Sequence, residues 1–449
     1  MIDWDALTAE LQGIEVISDP NQVAKLSQDY HTFSPILQAQ LHGKKGDLVV
    51  RPTTEAEVMQ VATTCVKYRV PVTIRGAGTG NYGQCVPLHG GVVLDMSRMQ
   101  TIRWIKSGIA RVEAGVKLAA LDKKARETGW EIRMAPSTYR TATIGGFVAG
   151  GSGGIGSISY GQLRDRGNIN AIRVVTMEDE PRAIELRGDE IHKVNHAWGI
   201  NGIITELEIP LGAAYPWVEV IVTFESFMAA AHFGQALGDA DGMIKKLISI
   251  FAWSIPTYFG AIRQYIPDGT HAALLMVAES SMETLPGLVQ EYGGCITYQR
   301  SPQDGKGANL AEFTWNHTTL HARSADPNMT YLQSLFPANV ETLHVTSLQL
   351  VDHMYRYFGD ELMMHLEFIR VGGRTVPAAL QLVRYTSEER LNEIIRYHEE
   401  HGVFIANPHT YIIEDGGRKV IDPEQMKFKQ MVDPYGLLNP GKIKALMRS

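Results

Sequence analysis

Apolar and polar positions first follow a helical and then a strand pattern between residues 54 and 75. Thr54 and Glu57 have the spacing of a capping box that opens a helix. Apolar residues follow at helical intervals: Val58, Val61, Ala62, Cys65 and Val66. Residues 70–75 are then rich in β-branched side chains, which is typical of a strand. The pattern predicts a helix followed by a strand that ends at Arg75.

Three other stretches complete the outline of the chain. Val23, Leu26 and Tyr30 stand at helical spacing and predict an amphipathic helical arm over residues 1–45. Two strand-like runs around a polar turn predict a β-hairpin over residues 174–186. Between residues 213 and 400, strand-like runs alternate with helical ones, which favours a mainly antiparallel sheet backed by helices. These runs include 218–224, 226–237, 272–278 and 364–369.

The segment after Arg75 contains four glycines within eight residues: Gly76, Gly78, Gly80 and Gly83. The last three match the dinucleotide-binding pattern, but that pattern requires a helix to begin inside it. The residues that follow predict a turn and another strand at 92–95 instead. A nicotinamide-type Rossmann domain is therefore disfavoured, and the loop's own amides would hold a phosphate as a nest. The alternative is a tight surface turn that tolerates glycine.

Two more glycine-rich segments follow. Residues 136–161 contain a second cluster, in which Thr143 is placed to cap a short helix that begins with Gly145 and Gly146. Residues 198–209 form a glycine-bracketed turn that leads into an alternating strand. Several such segments in one region of the chain indicate a long ligand, because backbone without side chains can approach it closely.

Composition restricts the function further. The 449 residues are long enough for two or three domains, 44% are hydrophobic and 20% are charged, as in ordinary globular proteins. A net charge of -7 argues against a nucleic-acid partner. Three cysteines, with no CxxC pair, indicate neither a disulfide framework nor a zinc site.

The start of the chain does not resemble a signal peptide and no run is long enough for a membrane span, so we expect a cytoplasmic protein. Peripheral membrane contact through residues 244–253, which combine lysines with bulky apolar groups, is an alternative to burial of that stretch.

The three glycine-rich segments, in this order, resemble the flavoprotein superfamily of vanillyl-alcohol oxidase and p-cresol methylhydroxylase, specifically the glycolate oxidase and D-lactate dehydrogenase type. Residues 433–442 resemble the family's terminal signature, in which the chain returns to the FAD domain. The resemblance implies FAD as the cofactor. It also implies these cofactor-binding residues: Arg75, Gly76, Ala77, Gly78, Thr79, Gly80, Gly83, Gln84, Pro136, Ser137, Thr143, Gly145, Gly146, Ala149, Gly150, Gly153, Tyr160, Gly161, Gly202, Ile203, Ile204 and Asn439. Thr79 stands where many members carry a histidine that binds FAD covalently, so we expect non-covalent FAD.

The resemblance also implies an α+β fold with a two-subdomain, PCMH-type FAD-binding domain. We expect this domain over residues 46–212, after the helical arm. A cap domain, with a mainly antiparallel and small ferredoxin-like sheet, would occupy residues 213–400. Residues 401–449 would then return to the FAD-binding domain.

Dehydrogenation of a hydroxyl-bearing substrate requires a base that accepts the hydroxyl proton. A substrate that also has a carboxylate requires a positively charged side chain to bind it. His409, beyond a strand-like run, is our first choice for the base and His317 the second, with Tyr411 as a hydrogen-bonding assistant. Arg323 is the choice for a carboxylate, with Arg370 and Arg384 as rivals. Any of these residues could instead have a purely structural role, because buried histidines and surface arginines are common.

The sequence departs from the family at the C-terminal histidine-rich motif, where residues 407–409 and 414–417 offer no second histidine at short spacing. We therefore predict no metal. The leading hypothesis is an FAD-dependent oxidoreductase that dehydrogenates a small alcohol-bearing substrate. Within this class, a 2-hydroxy acid is the favoured substrate. The alternatives are an aryl-alcohol or sugar oxidase of the same fold, and a flavin-binding subunit of an electron-transfer complex. The electron acceptor, whether oxygen, a quinone or a carrier protein, and the oligomeric state are left open.

Overall fold

The structure is a computed structural model that describes residues 2–304, 309–337, 339–340, 345–417 and 423–444. The α-helices are α1 (Trp4–Glu10), α2 (Pro20–Leu26), α3 (Pro35–Gln40), α4 (Glu55–Tyr68), α5 (Leu118–Arg126), α6 (Ile144–Gly150), α7 (Ser157–Tyr160), α8 (Phe227–Asp239), α9 (Leu285–Glu291), α10 (Asn316–Ala325), α11 (Ser347–Phe358), α12 (Glu388–Glu400), α13 (Ile413–Gly416) and α14 (Pro423–Val432).

The β-strands form four sheets. They are β1 (Glu15–Ile17), β2 (Leu48–Arg51), β3 (Val72–Arg75), β4 (Val92–Asp95), β5 (Ile102–Lys106), β6 (Ile109–Glu113), β7 (Trp130–Ile132), β8 (Ala171–Val175), β9 (Ala183–Arg187), β10 (Ile203–Ala213), β11 (Trp217–Phe224), β12 (Lys245–Phe251), β13 (His271–Ala278), β14 (Cys295–Arg300), β15 (Met329–Leu335), β16 (Asn339–Val340), β17 (Val345–Thr346), β18 (Leu362–Met363), β19 (His365–Val371), β20 (Arg374–Arg384) and β21 (Phe404–Ile405).

The first sheet has the strand order β1-β2-β4-β3 and packs against α4. Thr54 caps α4 by accepting a hydrogen bond from the Glu57 backbone N–H at 3.2 Å, as the sequence predicted. The Glu57 carboxylate reaches the backbone of Thr53 rather than that of Thr54. No helix begins between β3 and β4, which confirms that the glycine pattern is not of the Rossmann type. The N-terminal arm contains β1 besides its helices, and β1 joins this sheet by pairing with β2.

The C-terminal segment closes the other edge of the first sheet. The backbone N–H of Val72 donates to Leu437 O at 2.8 Å, and that of Asn439 donates to Val72 O at the same distance. Leu437 and Leu438 pack into the same apolar core as α4. The terminal residues are therefore a structural part of the fold around the first glycine loop.

The second sheet has the order β5-β6-β10-β8-β9, with β7 paired to one end of β10. Strands β8 and β9 form the antiparallel hairpin that the polar turn predicted. The long strand β10 contacts α6, whose apolar side packs into the core of this sheet. The second glycine segment is thereby fixed to the second sheet, while the first loop belongs to the first sheet.

The cap contains a nine-stranded sheet in which every pairing is antiparallel. Helices α8, α11 and α12 cover one face, where Val220 and Val222 are buried. Ile221 points to the opposite face and packs with the residues around α10. The sheet is mainly antiparallel, as predicted, but it is larger than a small ferredoxin-like sheet. Strand β21, which lies beyond the boundary expected at residue 400, is still part of it.

The membrane-contact alternative for residues 244–253 is wrong. These residues contain β12, a fully buried strand that pairs with β13 and β19 inside the cap sheet. The buried ammonium of Lys246 lies 2.7 Å from the Glu131 carboxylate of the FAD-binding region. Among the described residues, no helix is long and apolar enough to cross a membrane.

Candidate active site

A cavity of about 530 Å³ lies where the glycine segments face the cap. Most residues that the family resemblance assigned to the cofactor line it. They are Arg75, Gly76, Ala77, Gly78, Thr79, Gly80, Gln84, Pro136, Ser137, Thr143, Gly145, Gly146, Ala149, Gly150, Gly153, Gly202 and Ile204. The fold thus brings all three glycine segments to one wall of a single cavity.

Two glycines show why this wall requires glycine. Gly78 has a φ of +68°, and a Cβ there would collide with the guanidinium of Arg75. A Cβ on Gly145 would lie 2.7 Å from the Cβ of Ala114 on the neighbouring strand segment. Since side chains larger than hydrogen are strained at the first position and overlap a neighbour at the second, the backbone itself forms the cavity surface.

The guanidinium of Arg75 links the first loop to the N-terminal segment. Its Nη1 donates to the carbonyl oxygens of Leu26 and Gln28 at 2.7 and 2.8 Å, and its Nη2 donates to Ala77 O at 3.1 Å. The backbone N–H of Tyr30 also donates to Gly80 O at 2.7 Å. The N-terminal segment therefore braces the loop, and the Arg75 guanidinium is occupied by three carbonyls.

The second segment begins with the short helix that the sequence predicted. Thr143 Oγ1 accepts a hydrogen bond from the Gly146 N–H at 3.3 Å and so caps α6. Gln84 Nε2, from the first loop, donates to Gly150 O at 3.0 Å at the other end of α6. These contacts fix the first two glycine segments relative to each other.

Five residues of the predicted cofactor set do not line the cavity, because they support its wall from behind. The Gly83 carbonyl accepts a hydrogen bond from the buried Lys442 ammonium at 2.6 Å. Asn439 Nδ2 donates to Gln84 O at 2.8 Å and to Trp198 O at 2.7 Å, which joins the first and third segments. Asn439 therefore positions the loops and does not itself face the cavity.

The other three members of this group lie at the ends of the second and third segments. Ile203 is fully buried in the core of the first sheet. The ring of Tyr160 lies 5.2 Å from the guanidinium carbon of Arg133. Gly161 has a φ of +76° and forms the turn after α7. The glycine pattern could not tell which residues of these segments line the cavity and which lie behind its wall.

His317 is the candidate base that the structure places at the cavity. It lies in the first turn of α10, beside the cavity-lining residues Trp315 and Asn316. Its Nδ1 is 3.2 Å from Glu312 Oε2. This contact with His317 is the main reason that the pKa of Glu312 is below its usual value. Arg140, on the FAD-binding side, forms an ion pair with the other oxygen of Glu312 at 3.1 Å.

His409, the first choice for the base, does not line the cavity and has a hydrogen-bond partner at each ring nitrogen. Its Nδ1 lies 2.8 Å from Ser34 Oγ and its Nε2 lies 2.9 Å from Tyr331 O, so internal partners use both ring nitrogens. Burial lowers the pKa of His409 to about 4. The side chain does not line the cavity. A group in this position cannot reach a substrate proton.

Tyr411 and Arg323 do not line the cavity either. Tyr411 packs beside Leu37 and Leu41, away from the cavity. The Arg323 Nη1 donates to Met329 O at 2.6 Å, and its guanidinium lies over the ring of Phe33. Arg323 therefore joins α10 to β15 rather than facing a ligand.

Neither rival arginine lines the cavity. Arg370 forms an ion pair with Asp241, and Arg384 donates to Asp360 O at 3.2 Å. The cavity contains another guanidinium, that of the exposed Arg164, just after the turn at Gly161. No hydrogen bond or ion pair joins Arg164 to a described residue. Sequence reasoning missed it, although it directly follows the second glycine segment.

Other cavity residues could not be recognised from the chain. The Tyr82 hydroxyl donates to Gln333 Oε1 at 2.8 Å, and these two residues are 251 positions apart. Burial raises the pKa of Tyr82. Trp198 packs against the Tyr82 ring, with ring centroids 5.5 Å apart. Trp198 had a local signal, since it is the first residue of the third glycine segment, whereas Gln333 had none.

The lining of the cavity offers hydrogen-bond donors and acceptors to a polar nucleotide. Several buried polar atoms at this wall have no hydrogen-bond partner among the described residues. They are Arg75 Nε, Trp198 Nε1, Asn201 Oδ1, Trp315 Nε1 and Asn316 Oδ1. Buried polar groups without partners are costly, so a polar ligand would satisfy them. Together with the exposed backbone of the glycine loops, these donors and acceptors fit FAD.

Comparison with known proteins supports the same cofactor. The model of the FAD binding domain family matches residues 46–181. The glycolate oxidase subunit GlcD of Escherichia coli K12 is 32% identical over 209 residues, which cover 44% of this chain and 41% of that protein. The D-lactate dehydrogenase of Anaerostipes hadrus is 29% identical over 200 residues, 41% of each chain. The chain thus spans about two fifths of the length of these curated relatives.

A solved structure extends the likeness to the whole fold. An alkyldihydroxyacetonephosphate synthase superposes with a TM-score of 0.72 at 18% identity, over 98% of this chain and 85% of that one. At this identity the likeness concerns the fold alone. It includes the cap, which the sequence relatives do not cover in full. Residues 46–181 therefore match the FAD binding domain family, which makes FAD the cofactor, and the chain has the fold of this synthase, with the mixture of helices and antiparallel sheets that the α+β prediction expected.

Proposed function

We propose that the protein is an FAD-dependent oxidoreductase that dehydrogenates the CH–OH carbon of a 2-hydroxy acid. The observation that carries this proposal is the His317 and Glu312 pair on the cap side of the cavity, opposite the glycine loops. The names of the relatives, a glycolate oxidase subunit and a D-lactate dehydrogenase, support the same reaction class.

His317 would act as the general base. Glu312 lies at Nδ1 and favours the tautomer with the proton there, which leaves Nε2 to accept a proton from a substrate hydroxyl. Bound FAD supplies the hydride acceptor for the adjacent carbon. Glu312 would also stabilise the imidazolium that forms, since a carboxylate beside an imidazole favours its charged form.

Arg164 would bind the substrate carboxylate. It lines the cavity, and its guanidinium is not engaged by any described carboxylate. Arg75 is less suited to this role, because three backbone carbonyls already accept hydrogen bonds from its two terminal nitrogens. The planar guanidinium suits bidentate contact with a carboxylate.

The test is anaerobic reduction of the bound flavin by a panel of 2-hydroxy acids and matched alcohols. The proposal expects bleaching of the flavin absorbance by at least one 2-hydroxy acid, and slower or no bleaching by the alcohol that lacks the carboxylate. Flavin that binds but is reduced by no 2-hydroxy acid would overturn it.

A second candidate is dehydrogenation of an uncharged alkyl or aryl alcohol. The cap side of the cavity favours it, since no lysine or arginine of the cap lines the cavity among the described residues. The same panel separates the two candidates, because only the second predicts equal rates with and without the carboxylate. The electron acceptor, non-covalent attachment of FAD and the absence of a metal remain predictions from the sequence.

A further inference from the structure

We infer that the substrate carries an apolar chain of several carbons, rather than the one or two carbons of glycolate and lactate. This inference rests on the proposed function for the CH–OH and carboxylate end of the substrate, and it concerns the rest of the molecule. The cap wall of the cavity carries this inference. Its apolar residues are Leu320, Leu335, Ile369, Ala378, Leu380 and Phe404.

The fold makes this wall continuous. Leu335 of β15 is the direct partner of Ala378 in β20, and Leu380 lies two residues further along the same face. Ile369 extends the surface on β19, the other neighbour of β20. Since side chains two positions apart on a strand share a face, these four residues form one apolar surface over the cavity.

The wall continues to the outside of the protein. Leu320, on α10 four positions after Asn316, is 40% exposed, and Phe404 on the edge strand β21 is 41% exposed. Tyr30 lines the same cavity and is also exposed. Three of the six large apolar side chains that are exposed among the described residues thus lie at one cavity. Exposed apolar side chains gathered at a cavity mark a binding site for an apolar group.

One polar side chain on this face, Gln333, stands directly opposite Leu380, and its Oε1 already accepts a hydrogen bond from the Tyr82 hydroxyl at 2.8 Å. The polar groups that the proposed function uses lie on other elements. Asn316 and His317 stand in the first turn of α10, and Arg164 comes from the FAD-binding side. A substrate of glycolate size would leave the exposed side chains of Leu320 and Phe404 in water, whereas Ile369 and Leu380 are already buried. A longer chain would cover the wall and gain the free energy of removing apolar surface from water.

The first experiment measures binding without turnover. The holoprotein is titrated with straight-chain alkanoates from acetate to decanoate, and binding is followed by the change in the flavin absorption spectrum. Each methylene that covers the wall should lower the Kd about fourfold, because burial of one methylene is worth about 0.8 kcal/mol. Alkanoates of equal affinity at every length would overturn the inference.

The second experiment measures turnover with 2-hydroxy acids of the same lengths. We expect kcat/KM for flavin reduction to rise with length from glycolate to 2-hydroxyoctanoate. If glycolate or D-lactate is reduced as efficiently as the longer acids, the inference is wrong while the proposed function stands. If no hydroxy acid reduces the flavin but alkanoate affinity still rises with length, the proposed function is wrong and the apolar site stands.

Variants of the wall assign the effect to named residues. Leu320→Ser and Phe404→Ser should each reduce the preference for octanoate over butanoate by about three- to tenfold. The control is Met431→Ser, which changes another exposed apolar side chain that does not line the cavity. An unchanged length preference in both wall variants, with FAD still bound, would contradict the inference.

Discussion

His317 Nδ1 lies 3.2 Å from Glu312 Oε2. Arg140, in the FAD-binding region, forms an ion pair with the other oxygen of the same carboxylate at 3.1 Å. The Glu312 carboxylate therefore contacts both a histidine of the cap and an arginine of the FAD-binding region. Glu312 is a positioning residue in this arrangement, because it acts on the substrate only through His317.

Gly78→Ala should release FAD from the purified protein. The left-handed φ of Gly78 and the guanidinium of Arg75 leave no room for a Cβ, so the loop must move away from the cofactor. Gly269→Ala is the matched control, since Gly269 has a φ of +82° but open space around its Cβ position. The ratio of flavin to protein absorbance measures retention. Equal retention in the two variants would refute the role of the first loop.

Arg164→Gln should raise KM for a 2-hydroxy acid by about tenfold to a hundredfold, since a charge-assisted contact is lost. The KM for an uncharged alcohol should not change. Arg166→Gln is the control, because Arg166 is exposed and paired with Asp189 at 2.8 Å. A parallel change for acid and alcohol would argue that Arg164 shapes the loop and does not bind the carboxylate.

His409→Ala should reduce stability and leave flavin reduction within about threefold of the native rate. Removal of the imidazole leaves Ser34 and the Tyr331 carbonyl without their partner, at a cost of about 2–4 kcal/mol in the free energy of unfolding. Denaturant unfolding and anaerobic stopped-flow measurements test both parts. His232→Ala, at an exposed site on α8, is the control for stability. A large loss of reduction rate with FAD retained would restore His409 as the base.

The protein should lose stability as the pH falls from about 6.5 to about 4. Burial lowers the pKa of both His398 and His409 from 6.5 to about 4, so the unfolded chain binds more protons in this window. Each buried, neutral histidine contributes roughly 3 kcal/mol to the free energy of unfolding. This contribution is complete above pH 6.5 and is lost as the pH falls towards 4. The free energy of unfolding as a function of pH measures it. A His398→Gln, His409→Gln double variant should show a smaller loss, and an equal loss would contradict this assignment.

The sequence predicted the local structure around the cofactor well. Capping at Thr54 and Thr143, the strand before Arg75 and the glycine loops depend on neighbouring residues, so local patterns were sufficient. The runs 218–224, 272–278 and 364–369 were recognised as strands for the same reason, whereas the longest strand of the cap, β20, was not. FAD followed from the order of the glycine segments and the terminal signature.

The side chains that complete the site depend on distant contacts. His409 follows a strand of the cap, but only the packed structure shows that its ring points towards Ser34, 375 positions earlier in the chain. Gln333 is fixed by Tyr82 from the first loop, and Arg164 faces the cavity because of the turn at Gly161. No periodicity in one chain encodes these relationships.

The most direct test of the account is the anaerobic rate of flavin reduction in His317→Gln with a saturating 2-hydroxy acid. We predict a rate at least about a hundredfold below that of the native protein, with the same FAD content, because the glutamine cannot accept the hydroxyl proton. His321→Gln, one helical turn further along α10, is the comparison, since that imidazole contacts the Glu312 carbonyl and does not line the cavity. A His317→Gln protein that binds FAD and is reduced at the native rate would contradict the proposed mechanism.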